Sequence, residues 1–389
     1  MPSKRRLSLR TLWFNIHLWI GVGLGLIMIV LGLSGATLVW SDPIVDWLNA
    51  SRFTVSDAPA SLPPSAYVQS AAAAFGPGLT VMSVRLPEES GKPVVVMARG
   101  AVPKNGGRPP LLSAWLDPAT AEVKYTGSPL PAFFTLMHNL HGSLMIPGIG
   151  RQVVGWMGVA LSISALSGIY LWWPRNNRFL RALKWRRAPM LSSNLHHSVG
   201  FWLSLPLAII AITGIYLGFP QTGRAALSSV APMSPQVSRF GGPGPAATLH
   251  LSVDEAVDAA LAAVPGAAAS AINFPSGKPA VWRLTLDRNG KPMTVSVDDA
   301  TGAARLPGGG GVKNDGGQGR NQTTPGDDIA KLIRGIHDGT DMGPIWQAIV
   351  FLTGLLPALL TITGVIMWLS RRKRLKQLAV RVAAVSQSG

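Results

Sequence analysis

Four stretches of the chain, at 11–40, 153–173, 196–219 and 345–369, each run for 20 or more residues without Asp, Glu, Lys or Arg. As a helix rising 1.5 Å per residue, about 20 such residues cross a hydrocarbon layer of about 30 Å. A chain carrying four of them is constrained to be a multi-span membrane protein. The first stretch follows the basic "SKRRLSLR", but its apolar run is too long for a secretory signal. "SGATLVWSDP" also offers no small-x-small cleavage site, so a retained span is expected.

The formal net charge of +17 invites a nucleic-acid partner until the charge is mapped along the chain. Sixteen basic residues and no acidic one lie in three segments: Lys4, Arg5, Arg6 and Arg10; Arg175, Arg178, Arg181, Lys184, Arg186 and Arg187; Arg371, Arg372, Lys373, Arg374, Lys376 and Arg381. All 18 acidic residues share the remaining chain with 19 basic ones, which leaves it close to neutral. Lys and Arg concentrate in loops that stay in the cytoplasm. The N-terminus (1–10), the loop 174–195 and the tail 370–389 are therefore expected on the cytoplasmic side of a bacterial inner membrane, and no nucleic-acid partner is needed. The long segments 41–132 and 220–328 are expected in the periplasm. With no cysteine in the chain they hold together without disulfides, and thiolate and iron–sulfur chemistry are excluded.

The chain also resembles itself. "NIHLWIGVG" and "NLHHSVGFW" align Asn15, His17 and Gly21 with Asn194, His196 and Gly200. Each stretch then reaches a small-polar/Gly pair at the same offset, Ser34-Gly35 and Thr213-Gly214. His141 precedes Ser167 by 26 residues, and His337 precedes Thr363 by 26. The long segments match as well. "PPSAYVQSAAAAFGPGLTVMSVRLP" parallels "LSVDEAVDAALAAVPGAAASAINFP": an alanine-rich helix, a Gly/Pro break, then the alternation of a strand. The expected fold is mainly α, four transmembrane helices as two repeats, with two small periplasmic α+β domains. Histidine-bearing helices are expected at 133–152 and 329–344, and a glycine-rich connector at 307–326, whose composition cannot form a core.

Histidine carries the only unusual chemistry. Six of seven sit at span ends: His17, His196 and His197 on the inner side, His138, His141 and His337 on the outer. Any one of them suits the headgroup zone as an interfacial residue, as Trp does. The set is better explained by ligation, because the repeat returns an imidazole to the same offset in both halves. Membrane b-type haem sits between two imidazoles on facing helices. His138 and His141 share one helical face at i, i+3 and so cannot grip one haem from both sides. His141 is therefore expected to pair with His337, and His17 with His196, leaving His138 and His197 in reserve. Zinc usually asks for a carboxylate, a thiolate or a third imidazole, and the inner segments hold no acidic residue. No GxGxxG follows a strand and no phosphate-binding loop occurs, so nicotinamide and ATP sites are not expected. The spans also lack the buried carboxylates of proton-coupled transporters.

"NIHLWIGVGLGL" with "LSGATLVW", "LHGSL" with "SGIYLWWPR", "LHHSVGFWLSLP" with "TGIYLGF", "IHDG" with "TGVIMW", and "LSVDEAVDAALAAVPG" with "VDDATG" together resemble the PepSY-associated transmembrane helix family over nearly the whole chain. The family comprises bacterial inner-membrane proteins linked to iron uptake, including siderophore reductases. The resemblance implies two b haems and electron transfer to a ferric siderophore on the periplasmic side; the sequence does not identify the electron donor, for which a quinol or a cytoplasmic reductase is expected because no nicotinamide or flavin motif occurs. The competing expectation is a haem-free membrane protein whose PepSY domains bind and regulate a peptide or protein partner.

Overall fold

A computed structural model of the chain describes residues 8–49, 55–101, 109–129, 131–174, 190–233, 249–276, 279–306 and 324–387. The basic residues Lys4, Arg5 and Arg6, the basic cluster of 174–195 and the connector at 307–323 lie outside the described residues. The chain divides into two compact units, one built from 1–42, 133–232 and 325–389, the other from 43–132 and 233–324.

The first unit is helical. It contains α1 (Leu9–Gly23), α2 (Gly25–Val39), α5 (Ala132–Ser143), α6 (Gly150–Trp172), α7 (Leu191–Gly218), α8 (Pro220–Ser228), α10 (Pro325–Asp338) and α11 (Pro344–Gln387). Of these, α6, α7 and α11 are long and apolar enough to cross a membrane. The expected single span at 11–40 differs: it breaks at Leu24 into α1 and α2, bent by 65°. Gly21, Gly23 and Gly25 crowd the break, and glycine gives helical backbone its weakest local support. Gly25 also lies so close to Thr361 of α11 that an added Cβ would collide with that side chain, so the break sits where two helices press together. The last helix continues through the basic tail to Gln387 instead of ending with its span.

Small residues bring the helices together, as is usual where lipid supplies no drive for association. A Cβ on Gly218 would lie 2.5 Å from the Cα of Gly155, so α6 and α7 touch backbone to backbone. Trp172 stacks on Phe201 across the same pair, with centroids 3.8 Å apart. Gly32 of α2 and Gly354 of α11 are equally close: a Cβ on Gly354 would meet the Gly32 carbonyl at 2.7 Å. Ala165, Leu203, Leu207 and Ala208 fill the centre, flanked by Leu356 and Leu360 of α11. Large apolar side chains point outward, with Trp202 71 % and Ile345 79 % exposed, the pattern of a surface that meets acyl chains rather than water.

The second unit contains α4 (Pro64–Phe75), α9 (Val253–Ala263) and eight strands: β1 (Thr80–Arg85), β2 (Val94–Arg99), β3 (Leu111–Leu116), β4 (Val123–Gly127), β5 (Ala268–Asn273), β6 (Val281–Arg288), β7 (Lys291–Asp298) and β8 (Ala304–Arg305). A short α3 (Ser41–Asn49) precedes them. Instead of two separate small domains, the strands form one sheet in the order β4-β3-β2-β1-β5-β6-β7-β8. The two arms meet where β1 pairs antiparallel with β5, Ser83 with Asn273, Val84 with Ile272 and Arg85 with Ala271. Reading outward from that seam, each arm is an antiparallel meander. The physical reason for the merger is a shared core: Tyr67 and Ala71 of α4 and Val257 and Ala260 of α9 bury against Val84, Val96, Ile272, Trp282 and Leu284. Neither arm alone closes over that apolar surface. α9 begins with a capping box, in which Ser252 accepts from Glu255 N–H and the Glu255 carboxylate accepts from Ser252.

Each arm ends its meander in an aspartate turn. Asp117 accepts from the N–H groups of Ala119 and Thr120, and Asp298 from those of Ala300 and Thr301. Asp117 also accepts from Ser56 N–H at 2.8 Å and Ser56 Oγ at 2.9 Å. These bonds, the one from Ser56 N–H foremost, hold its carboxyl down at about 2.

Candidate haem site

Every sequence-selected histidine pair comes together. His17 of α1 faces His196 of α7 with ring centroids 6.2 Å apart and planes at 88°. His141 of α5 faces His337 of α10 at 6.0 Å, with planes at 43°. All four rings are part-buried, whereas the reserve residues His138 and His197 are exposed. His197, the sequence neighbour of His196 on the same helix, has its ring centroid 6.2 Å from that of His196. His250 belongs to the other unit, where its backbone N–H donates to Asp299.

How each ring is held shows what the small-polar/Gly pairs do. His17 Nδ1 lies 3.0 Å from the Ser164 carbonyl, and Gly168 sits against its Cε1. For His141 the seat is the Leu31 carbonyl at 2.8 Å with Gly35. His196 has the Leu360 carbonyl at 3.0 Å with Gly364, and His337 the Ile210 carbonyl at 3.0 Å with Gly214. In every case the carbonyl stands three residues before the Ser or Thr and the glycine one residue after it. The seats are exchanged within each half of the chain: α1 places its histidine on α6 while α5 places one on α2, and α7 and α11, with α10, repeat the exchange.

Two consequences follow for ligand chemistry. A carbonyl oxygen only accepts, so Nδ1 of each ring carries the proton and Nε2 keeps its lone pair free, the tautomer that a metal requires. Two imidazoles that shared one metal ion through Nε2, at about 2 Å each and about 1.2 Å from nitrogen to ring centroid, would have centroids about 6 Å apart. Both observed pairs match that spacing. The glycines complete the fit. A Cβ would stand 2.7 Å from His141 Cε1 at Gly35, 3.0 Å from His337 Cε1 at Gly214, 3.3 Å from His196 Cε1 at Gly364 and 3.4 Å from His17 Cε1 at Gly168. Among the described residues no three His, Asp or Glu side chains gather as a metal-binding group.

The two pairs lie far apart. His196 belongs to one, and Thr213, 17 residues further along α7, touches His337 of the other. At 1.5 Å per residue that is about 25 Å along one spanning helix. Sequence reasoning missed the carbonyls of Leu31, Ser164, Ile210 and Leu360. Their signal was the recurring Ser/Thr-Gly pair, which marks the seat of an imidazole from another helix.

Compared with known proteins, the chain is matched by the family model of the PepSY-associated TM region over residues 14–371. No curated protein matches it.

Proposed function

The chain belongs to the family of the PepSY-associated TM region, and on that premise we propose that it is a di-haem electron-transfer protein of the bacterial inner membrane that reduces ferric siderophores on the periplasmic side and so frees their iron. The observation that carries the reading is the spacing of the two imidazole pairs, 6.2 Å and 6.0 Å between centroids, with every Nδ1 tied to a carbonyl and every Nε2 left free. Haem b bound between His17 and His196, and again between His141 and His337, supplies one-electron chemistry. Each ferric chelate would take one electron, so one quinol, oxidised to quinone with release of two protons, would serve two chelates, whereas a cytoplasmic reductase would deliver the electrons singly. Fe(III) becomes Fe(II), which hard oxygen donors hold far less well.

The chain's own residues do the rest. The carbonyls of Ser164, Leu31, Leu360 and Ile210 fix each ring's tautomer and direction, and the adjoining glycines leave room for it. The separation of about 25 Å along α7 supports one pair lying toward each face of the bilayer. The concentration of Lys and Arg in the termini and the middle loop supports a cytoplasmic side for His17 and His196 and a periplasmic side for His141 and His337. The two halves act as copies of one design, each giving one imidazole to each pair.

The test begins with a visible spectrum of the purified protein, expected to be b-type with two haems per chain, one of which is lost in His337→Ala. The anaerobically reduced protein is then mixed with ferric siderophores and is expected to reoxidise. Normal haem content in a His17→Ala, His337→Ala double variant refutes the ligand set. A protein free of haem, however prepared, favours instead the role of binding and regulating a peptide or protein partner.

A further inference from the structure

Among the described residues, three of the four imidazole seats contain a second hydrogen-bond acceptor and the fourth does not. His17 Nδ1 is 3.1 Å from Ser167 Oγ, with Ser164 Oγ farther off at 3.5 Å, His196 Nδ1 is 3.1 Å from Thr363 Oγ1, and His337 Nδ1 is 3.1 Å from Thr213 Oγ1. Each of the three nearer hydroxyls donates its own proton backward along its helix: Ser167 to Ser164, Thr363 to Leu359 or Leu360, Thr213 to Ile209 or Ile210. With its proton so committed, the hydroxyl can only offer a lone pair to the ring, and Nδ1–H is shared between the carbonyl and the hydroxyl oxygen. Ser34 occupies the corresponding place beside His141, yet its hydroxyl bonds to the Val30 and Leu31 carbonyls and not to the ring. Among the described residues His141 Nδ1 has the Leu31 carbonyl alone.

We propose that Ser167, Thr363 and Thr213 are positioning residues that tune the reduction potential of the groups held by His17, His196 and His337, and that Ser34 has no such role. The inference rests on the haem reading above. Acceptors on Nδ1–H push electron density toward Nε2 and make the imidazole a stronger donor, which favours the ferric over the ferrous state and lowers the midpoint potential. Ser167 and Thr363, with the more distant Ser164, act on the His17/His196 pair and Thr213 on the His141/His337 pair, so their contribution favours electron flow from the first pair to the second.

The experiment is an anaerobic spectroelectrochemical titration of the purified, haem-loaded protein and five single variants. Electron paramagnetic resonance assigns each midpoint to its pair, since the ring-plane angles of 88° and 43° differ. Thr213→Val is expected to raise the midpoint of the His141/His337 site and leave the other unmoved. Ser167→Ala and Thr363→Val are expected to raise that of the His17/His196 site, and Ser34→Ala to shift neither. Thr213→Ser, which keeps the lone pair, is expected to restore the parental midpoint. The proposal is overturned if the three hydroxyl deletions leave both midpoints in place, or if Ser34→Ala moves its site as far as Thr213→Val does. Protein that takes up no haem defeats the underlying haem reading, whereas two bound haems with unmoved midpoints defeat this inference alone.

Discussion

Substituting Gly35 by alanine tests the imidazole seats most directly, because the four glycines form a graded series. The new methyl would stand 2.7 Å from His141 Cε1 and 2.9 Å from its Nδ1, where ordinary contact begins at 3.4 Å. The overlap of about 0.7 Å cannot be relieved by rotating the ring away, since Nδ1 is bonded to the Leu31 carbonyl at 2.8 Å. Overpacking of this kind costs about 1–3 kcal/mol, and at about 1.4 kcal/mol per factor of ten the pairing of His141 with His337 is weakened about 5- to 150-fold. Gly168→Ala is the matched control, because its methyl would reach His17 Cε1 at 3.4 Å and fit. Haem-to-protein ratio and thermal unfolding in detergent are the assays. Gly35→Ala is expected to fall toward one haem per chain and unfold earlier, while Gly168→Ala keeps two haems and the parental midpoint. If the two variants behave alike, in either direction, the steric argument is wrong.

Acid should act on the second unit through Asp117. Its carboxyl is depressed from 3.8 to about 2, so the stabilisation is complete above pH 3.8 and is lost as pH falls from there to about 2. Tryptophan fluorescence should follow that loss, and an Asp117→Asn variant should be less stable at neutral pH and lack the acid-dependent step. Asp299→Ala removes the acceptor shared by His250 N–H, Leu251 N–H and the buried Trp282 Nε1–H. It is expected to cost about 3 kcal/mol or more, read by denaturant unfolding, and a loss below about 1 kcal/mol would contradict the burial of those donors. A topology reporter fused after Gln387 should be active only in its cytoplasmic form, and one inserted in 307–323 only in its exported form; the reverse pattern overturns the orientation drawn from the basic segments.

The spans and the choice of His141 over His138 were legible because charge-free length and repeat offset are properties of the sequence itself. The bend at Leu24 was not, since three glycines in a row of apolar residues are equally compatible with a straight helix until Thr361 presses on Gly25. The Ser/Thr-Gly pairs were visible as a pattern but not as seats. Their partner histidines arrive from helices whose crossing depends on backbone contacts such as that between Gly155 and Gly218. The single sheet was hidden for a similar reason: the pairing of Ser83 with Asn273 joins residues almost 200 positions apart, and no local preference announces it.

That seam has a consequence for how the protein is made. β1 ends at Arg85 and its partner β5 begins at Ala268, so at about 5–20 residues per second the ribosome needs roughly 10–40 s between them. During that interval two spanning helices are synthesised, and β1 waits as an unpaired edge backed by apolar side chains that α9 and β6 have yet to cover. A newly made first arm is thus a sticky intermediate by construction, in need of a holding factor or a quick successor. A slowed passage through the second and third spans would be felt first as aggregation of the half-built sheet, with the helical bundle still sound.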